Sequence, residues 1–375
     1  MNSLYYIYLS LYINGKLLYP GVKNKIKAQI DIFERYGFDI FEIQLMIKKM
    51  NPILKRLPFI SGFYNWTDSL IKIKNPKFIY LRHVYVDSGN IKFFKEIKSK
   101  YPEAKILLEL PTYPYEKERF QIKGIKSLFG FPFLLKDRYY RKFFSKYVDR
   151  IVTYSTDDEI FGIPTIRIQN GIDVTSFHVI KPRPDDDEIR LIAVATLQDY
   201  HGYERIIEGL HFYYENGGNR TVKFLIVGEG PAEQQLRAIV NQYHLDKIVV
   251  FYGKKTGKEL SEIYDQADIG MGSFGLYKRG TSYSSGLKIR EYLARGIPVI
   301  SGCDEDLFLH EKNDFYLQFA NDNSPISIPE IIKFYDNLLN GQTKEEISIN
   351  IRRFAEHNVD LSNTFKPVIE YLLEK

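Results

Sequence analysis

From Thr281 to Gly302 the chain reads Thr-Ser-Tyr-Ser-Ser-Gly-Leu-Lys-Ile-Arg-Glu-Tyr-Leu-Ala-Arg-Gly-Ile-Pro-Val-Ile-Ser-Gly. This is a loop of small residues, then a helix, then a buried strand. Ile289, Leu293 and Gly296 recur at i, i+4 and i+7 as one stripe, and Lys288 and Glu291 share another face. Gly296 is expected as a left-handed helix cap, and Pro298 prevents the helix from continuing into the strand Ile297–Ile300. Ser284, Ser285 and Gly286 would present unpaired backbone N–H groups and the positive end of the helix dipole, a setting that suits a phosphate. A plain helix cap begins the same way, so this stretch alone does not separate the two.

The rest of the chain repeats the strand–helix rhythm. Strands are expected at Tyr5–Leu9, Phe38–Ile43, Lys77–Leu81, Lys105–Leu110, Arg150–Tyr154 and Thr165–Ile168, and again at Leu191–Ala195, Val222–Val227, Ile248–Phe251, Ile269–Gly272 and Ile297–Ser301. Helical patterns fall between them, as at 202–216, 231–243 and 257–266. The alternation predicts an α/β protein with parallel sheets covered by helices. Gly21 opens the first helix beside a strand's carboxyl end, as a ligand-facing residue or a simple turn glycine. Gly228-Glu229-Gly230-Pro231 joins a strand to a helix that Pro231 begins; its glycines allow close ligand approach or only a tight turn. Glu109–Glu116, broken by Pro111 and Pro114, is expected as a rigid loop whose Glu109, Tyr113, Tyr115 and Glu116 meet an acceptor hydroxyl or only solvent.

Charge divides the chain. Residues 1–180 carry 29 Lys/Arg and 17 Asp/Glu, a net of +12; the remainder carries 52 − 29 = 23 and 47 − 17 = 30, a net of −7. With 375 residues this predicts two domains facing different partners, 1–180 and 181–345, joined at the proline- and charge-rich segment Lys181–Glu188, with 346–375 as a C-terminal helix returning to the first domain. Cys303 is the only cysteine, so no intramolecular disulfide forms and a reducing cytoplasm is the expected setting. The seven histidines show no zinc spacing, so no metal site is expected. The first fifteen residues lack the basic flank of a signal peptide, and no apolar run reaches the length that spans a membrane. From Lys117 to Lys146, nine basic residues face two acids and are interleaved with Leu128, Phe129, Phe131, Phe133, Leu134, Leu135, Tyr139, Tyr140, Phe143 and Phe144. Such a stretch fits the peripheral surface of an anionic membrane. The competing readings are a helix packed on its sheet and, with no supporting motif, a nucleic-acid contact.

The order of these landmarks resembles the retaining, glycogen-synthase-like (group 1) glycosyltransferases of GT-B fold. The matching pieces are Gly21, Asp149–Ser155, Asn170-Gly171-Ile172-Asp173, Val227–Pro231, Phe251-Tyr252-Gly253, Tyr264–Asp268, and Glu291 with Gly296-Ile297-Pro298-Val299. Glu109–Glu116, Tyr200–Arg205 and Leu287–Leu293 resemble bacterial enzymes of capsular or exopolysaccharide assembly. The resemblance implies two Rossmann-like doubly wound domains facing across a cleft, with the acceptor in the first and a UDP- or GDP-sugar in the second. It implies no catalytic metal, because side chains and helix termini neutralise the diphosphate. It places Glu291 on the donor ribose, Ser284, Ser285, Gly286 and Leu287 at the diphosphate and sugar, Gly253 and Lys254 at the base, and Gly21 and Gly228 along the donor.

Three departures accompany it. The family's first glutamate would fall at Tyr283, and its diphosphate-binding Arg and Lys at Thr196 and His201. Lys288 is then expected to supply the missing charge, with a protonated His201 and Lys278 or Arg279 adding to it. The expected function is transfer of a sugar from a nucleotide-diphospho-sugar to a lipid-linked glycan at the cytoplasmic face of the membrane. A catalytically silent GT-B partner of another transferase is the main rival, and a nucleotide-sugar epimerase a weaker one.

Overall fold

The computed structural model describes residues 2–10, 12–13, 16–17, 20–116, 127–184, 186–309 and 313–374. It comprises two compact units, Met1–Gln169 with Phe365–Lys375, and Asn170–Thr364.

The first unit contains β1 (Asn2–Tyr8), the short hairpin β2 (Tyr12–Ile13) and β3 (Lys16–Leu17), β4 (Phe38–Gln44), β5 (Phe78–Arg82), β6 (Lys105–Leu110), β7 (Arg150–Thr153), β8 (Glu159–Ile160) and β9 (Ile163–Arg167). Its main sheet runs β4-β1-β5-β6-β7-β9-β8, parallel except for the edge strand β8. Every residue of β5, Phe-Ile-Tyr-Leu-Arg, is buried, as expected of a parallel strand covered on both faces. The helix Ser88–Lys100 starts with a capping box, in which Asp87 accepts from Gly89 N–H at 2.7 Å and Asn90 accepts from Asp87 N–H at 2.9 Å. The first helix is Pro20–Arg35, so Gly21 lies in its first turn, at the helix start as expected.

The second unit contains β10 (Ile189–Val194), β11 (Val222–Val227), β12 (Val249–Gly253), β13 (Ile269–Met271), β14 (Tyr283–Ser284), β15 (Val299–Ser301), β16 (Asp304–Glu305) and β17 (Tyr316–Gln318). The order β12-β11-β10-β13-β15-β17, all parallel, makes this a doubly wound sheet of six strands, one more than expected. Because β10 pairs with β11 on one side and β13 on the other, the strand order reverses there. The carboxyl ends of β10 and β13 form the crevice in which such sheets hold ligands. The helix Glu233–Gln242 begins two residues after Pro231, which lies in the preceding turn instead of at the helix start.

Both expected boundaries shift. The units divide at Gln169/Asn170 rather than 180/181, because the chain beyond Asn170 is already tied into the second unit: Ile172 N–H donates to Val359 O and Ile180 N–H to Arg295 O, both at 2.9 Å. The segment Lys181–Glu188 is no free linker either, since Arg183 pairs with Asp268 at 2.7 Å. At the other end the helix Lys344–Asn358 stays with the second unit, and only Phe365–Lys375 joins the first. There Phe365 meets Phe33 and Tyr80 edge-on, with ring centroids 5.2 and 6.0 Å away.

Gly228 is explained by packing. Its φ is +127°, and a Cβ there would lie 1.8 Å from the Ala195 carbonyl oxygen, so the loops after β10 and β11 touch only because the side chain is missing. Gly228→Ala is expected to cost about 3 kcal/mol or more of unfolding free energy. Chemical denaturation measures it, and a loss within experimental error of zero would refute this role.

The stretch Lys117–Lys146 falls partly outside the described residues, at 117–126. From Ser127 to Arg141 it is a helix whose Leu134 and Tyr140 enter the core and whose Lys136 is buried, donating to Lys55 O at 3.1 Å. Phe131, Leu135 and Tyr139 on its outer side remain about half exposed. Among the described residues no helix is long and apolar enough to cross a membrane.

Candidate functional site

The second unit gathers most of the expected donor residues around the β10/β13 crevice. The loop after β10 carries exposed Thr196 and then a short 3-10 turn, Asp199–His201. It is locked to the loop after β13: Phe274 N–H donates to His201 O at 2.7 Å, and Arg205, itself buried, donates to Phe274 O at 2.6 Å. Gly202 (φ +66°) lets them meet, since a Cβ there would lie 2.5 Å from the Gly275 nitrogen.

Lys288 reaches into this crevice from the first turn of the helix Leu287–Ala294. Its Nζ donates to Tyr203 Oη at 3.1 Å and lies 3.4 Å from Gly272 O and Ser273 Oγ, and it sits 5.4 Å from the centre of the Tyr203 ring. Burial of the amine pushes its pKa down to about 8, opposed by the nearby Glu305 carboxyl and Cys303. It is therefore mostly charged at neutral pH, and poorly neutralised. The same environment overturns the expected role of His201. Burial, with the charges of Lys288 and Arg279 adding, pushes that imidazole down to about 3, so it is neutral at physiological pH and supplies no cation. Lys278 is also spent: its amine pairs with Asp199 at 2.8 Å and Glu204 at 2.6 Å. Arg279 is exposed and stacks over Tyr200 at 4.2 Å, within electrostatic reach of His201. Lys288 and Arg279 are thus the cations this crevice has to offer among the residues expected to supply one.

The loop Ser284–Gly286 forms the adjoining wall. Gly286 caps the helix Leu287–Ala294 in an extended conformation and provides no side-chain cap for the first-turn N–H groups. Leu287 is exposed beside them. The loop is held chiefly by Arg290 and Asp306, which the sequence pattern does not single out. Ser285 Oγ donates to Asp306 Oδ2 at 2.7 Å, Arg290 Nη2 donates to the same oxygen at 2.6 Å, and Arg290 Nη1 donates to Gly286 O at 3.1 Å. Asn170 Nδ2 donates to Ser285 O at 2.8 Å, and the pairing of β14 with β16 sets Ser284 opposite Glu305. Glu305 is buried and accepts from Ser301 Oγ at 2.9 Å and Cys303 Sγ at 3.2 Å; burial pushes its carboxyl up. The acidic run Asp304–Asp306 right after a buried strand was the available signal for these groups.

Tyr283, at the position of the absent carboxylate, is exposed on β14. Glu291 is partly buried and pairs with Arg295 at 3.2 Å, and its charge contributes to holding the Tyr264 hydroxyl protonated, after the larger effect of burial. Gly253 ends β12 with φ +64°, where a Cβ would lie 3.7 Å from Glu229 Oε1, and Lys254 beside it is exposed. Gly21 lies in the first unit.

The four expected acceptor residues, all in the first unit, are committed to internal contacts. Glu109 is fully buried, paired with Arg82 at 3.0 Å and accepting from Tyr80 Oη at 3.0 Å, so its carboxylate is not presented to a ligand. Tyr115 is buried and donates to Asp137 at 2.7 Å. Glu116 is clamped by Arg138 and Arg141, whose hydrogen bonds hold it below the usual carboxylate range against the opposing effect of burial. Tyr113 packs edge-on against Phe161 at 5.7 Å.

Residues 175–306, which include this crevice and loop, match the family model "Glycosyl transferases group 1". The chain is 29% identical over 131 residues to the putative colanic acid biosynthesis glycosyltransferase WcaL of Escherichia coli K12. That match covers 35% of this chain and 32% of WcaL, so it spans about a third of that relative's length. Among solved structures, sucrose-phosphate synthase from Thermosynechococcus elongatus superposes with a TM-score of 0.62 at 13% identity, covering 99% of this chain and 97% of that one. Anabaena HepE, solved in complex with UDP, superposes with a TM-score of 0.60 at 13% identity, covering 99% of both chains. The fold is that of the GT-B proteins, with two Rossmann-like domains, and the second unit carries a group 1 glycosyl transferase domain.

Proposed function

We propose that the second unit binds a nucleotide-diphospho-sugar and that the protein transfers its sugar, with retention of anomeric configuration, to a lipid-linked glycan in surface polysaccharide assembly at the cytoplasmic membrane face. The observation that carries this reading is the placement of the Lys288 amine at the β10/β13 switch point, beside a helix start without a side-chain cap, within the matched stretch. HepE has been crystallised with UDP and with UDP-glucose, which supports a uridine donor for this fold.

In the reaction the bond between the anomeric carbon and the diphosphate oxygen breaks while the acceptor oxygen bonds to that carbon from the same face. The acceptor proton passes to the departing phosphate. Charge accumulating on the leaving diphosphate is met by Lys288, by the N–H groups of Ser284–Leu287 and by Arg279, which takes the load without a metal. Glu291 binds ribose hydroxyls and moves no proton. Glu305 gives Lys288 a buried carboxyl neighbour in place of the carboxylate missing at Tyr283.

Calorimetry against a panel of nucleotide sugars, followed by mass analysis of the glycan product, tests the reading. One UDP- or GDP-sugar is expected to bind and to yield an acceptor heavier by one sugar. No donor binding at millimolar concentration would favour a silent GT-B partner, and a free sugar epimer formed without acceptor would favour an epimerase.

A further inference from the structure

Glu305 is 2% exposed on the short strand β16, directly opposite Ser284 of the donor loop. A carboxylate withdrawn this far from water is costly unless another group answers its charge. Its Oε1 accepts from Ser301 Oγ and Cys303 Sγ, whereas Oε2 is buried with no hydrogen-bond partner. Hydrogen bonds alone therefore do not account for the group. The ionisable neighbours leave one cation to do so. Cys303 and Tyr316 are held protonated by burial, with the Glu305 charge adding to it, and Tyr283 is held protonated by burial and the Asp306 charge. Asp304 accepts from Gln318 at 2.8 Å, and Arg290 is paired with Asp306 at 2.6 Å. Among the described residues around Glu305 this leaves Lys288. The two are joined through the ends of β13 and β15: Ser301 Oγ lies 2.9 Å from Glu305 Oε1 and 3.2 Å from the Ser273 carbonyl, and Lys288 Nζ lies 3.4 Å from Ser273 Oγ. The other groups facing the amine carry no opposite charge, since burial keeps Tyr203 protonated and His201 is neutral.

We propose that Glu305 is the counter-charge of the donor crevice, a positioning residue that keeps Lys288 in its ammonium form at the β10/β13 switch point until a diphosphate arrives. Without the carboxylate, burial would strip the proton from Lys288 in the empty crevice, and the diphosphate would meet a neutral amine. With it the cation is ready in advance, against some repulsion between Glu305 and the bound diphosphate. Glu305 makes and breaks no bond in this role. For its consequence in binding the role rests on the donor reading above; the charge coupling itself does not.

NMR titration of the Lys288 Cε signal, identified by its loss in Lys288→Met, tests the coupling without any donor. In the wild type the signal is expected to titrate at about 8. In Glu305→Gln the midpoint should fall by about one pH unit, and in Glu305→Asp, which retains the charge, it should stay close to the wild type. UDP affinity follows the charged fraction of Lys288. The Gln variant is expected to bind about tenfold more weakly at about pH 9 but at least as tightly as the wild type at about pH 6, so the two pH profiles cross. A residue that merely supports the fold would lower both ends alike. Should the Gln variant fail to fold, Glu305→Met, an apolar side chain of like length, carries the same expectations. An unmoved Lys288 titration, or UDP profiles that run parallel, overturns the role. A titration that moves as expected while neither UDP nor GDP binds at any pH supports the coupling and counts against the donor reading alone.

Discussion

Lys288→Met is expected to lower affinity for the nucleoside diphosphate by about a hundredfold while raising the melting temperature. The first effect follows from removing the buried cation of the crevice, whose interaction with a diphosphate in a water-poor site contributes about 3 kcal/mol. The second follows from linkage. The folded-state pKa of Lys288 is about 8, below the ordinary 10.5, so folding disfavours its charged form. Between these values the unfolded chain binds more protons than the folded one, so stability rises with pH across that window, and below it the penalty is fully present. That penalty is bounded at about 3 kcal/mol, and partial exposure of the residue lowers the expected gain in the Lys288→Met variant to about 1–2 kcal/mol. Binding of UDP above pH 8 should also take up a proton as Lys288 recharges, and calorimetry in two buffers of different ionisation enthalpy reads this directly. His201, neutral in the folded protein, adds no proton uptake to UDP binding between pH 5 and 7, although its protonation in the unfolded chain lowers stability as pH falls below about 6.5. A variant that binds UDP like the wild type, or melts lower, would remove Lys288 from the site.

The parallel sheets were legible because their strands are continuous apolar runs: Val222–Val227 stands where the pattern put it. The strand β17 was not, because Tyr316–Gln318 is only three residues long and partly exposed. The domain boundary was misplaced for a related reason. Prolines and acids in Lys181–Glu188 look like a solvated linker, and only the fold shows Arg183 reaching Asp268 and the preceding residues already fastened to Val359 and Arg295. At the site, the loop Ser284–Gly286 and Lys288 were visible as residue types next to a helix start. What could not be seen was burial: it neutralises His201, spends Glu109 on Arg82, and turns Arg290 and Asp306, which composition would place on the surface, into an enclosed pair.

That pair carries the other large effect. The Arg290 side chain has no exposure and that of Asp306 only 7%, and they meet at 2.6 Å while Ser285 and Gly286 hang on the same network. Arg290→Met leaves the Asp306 carboxylate buried without its cation and is expected to cost about 3–5 kcal/mol in unfolding free energy; Asp306→Ala should cost a similar amount. The double variant Arg290→Met with Asp306→Leu restores an apolar, uncharged interior and should recover most of that loss, because a buried ion pair exchanged for packed apolar side chains is close to neutral. Its nucleotide affinity is not expected to recover. The hydrogen bonds that fix Ser285 Oγ and the Gly286 carbonyl come from these two side chains, and a loop with restored stability but no such anchors presents its N–H groups loosely to the diphosphate. Stability and affinity therefore separate in the double variant: denaturant unfolding near wild type, UDP binding weakened by about tenfold or more. Wild-type UDP affinity in that variant would show that the loop holds its shape through Asn170 and the β14–β16 pairing alone.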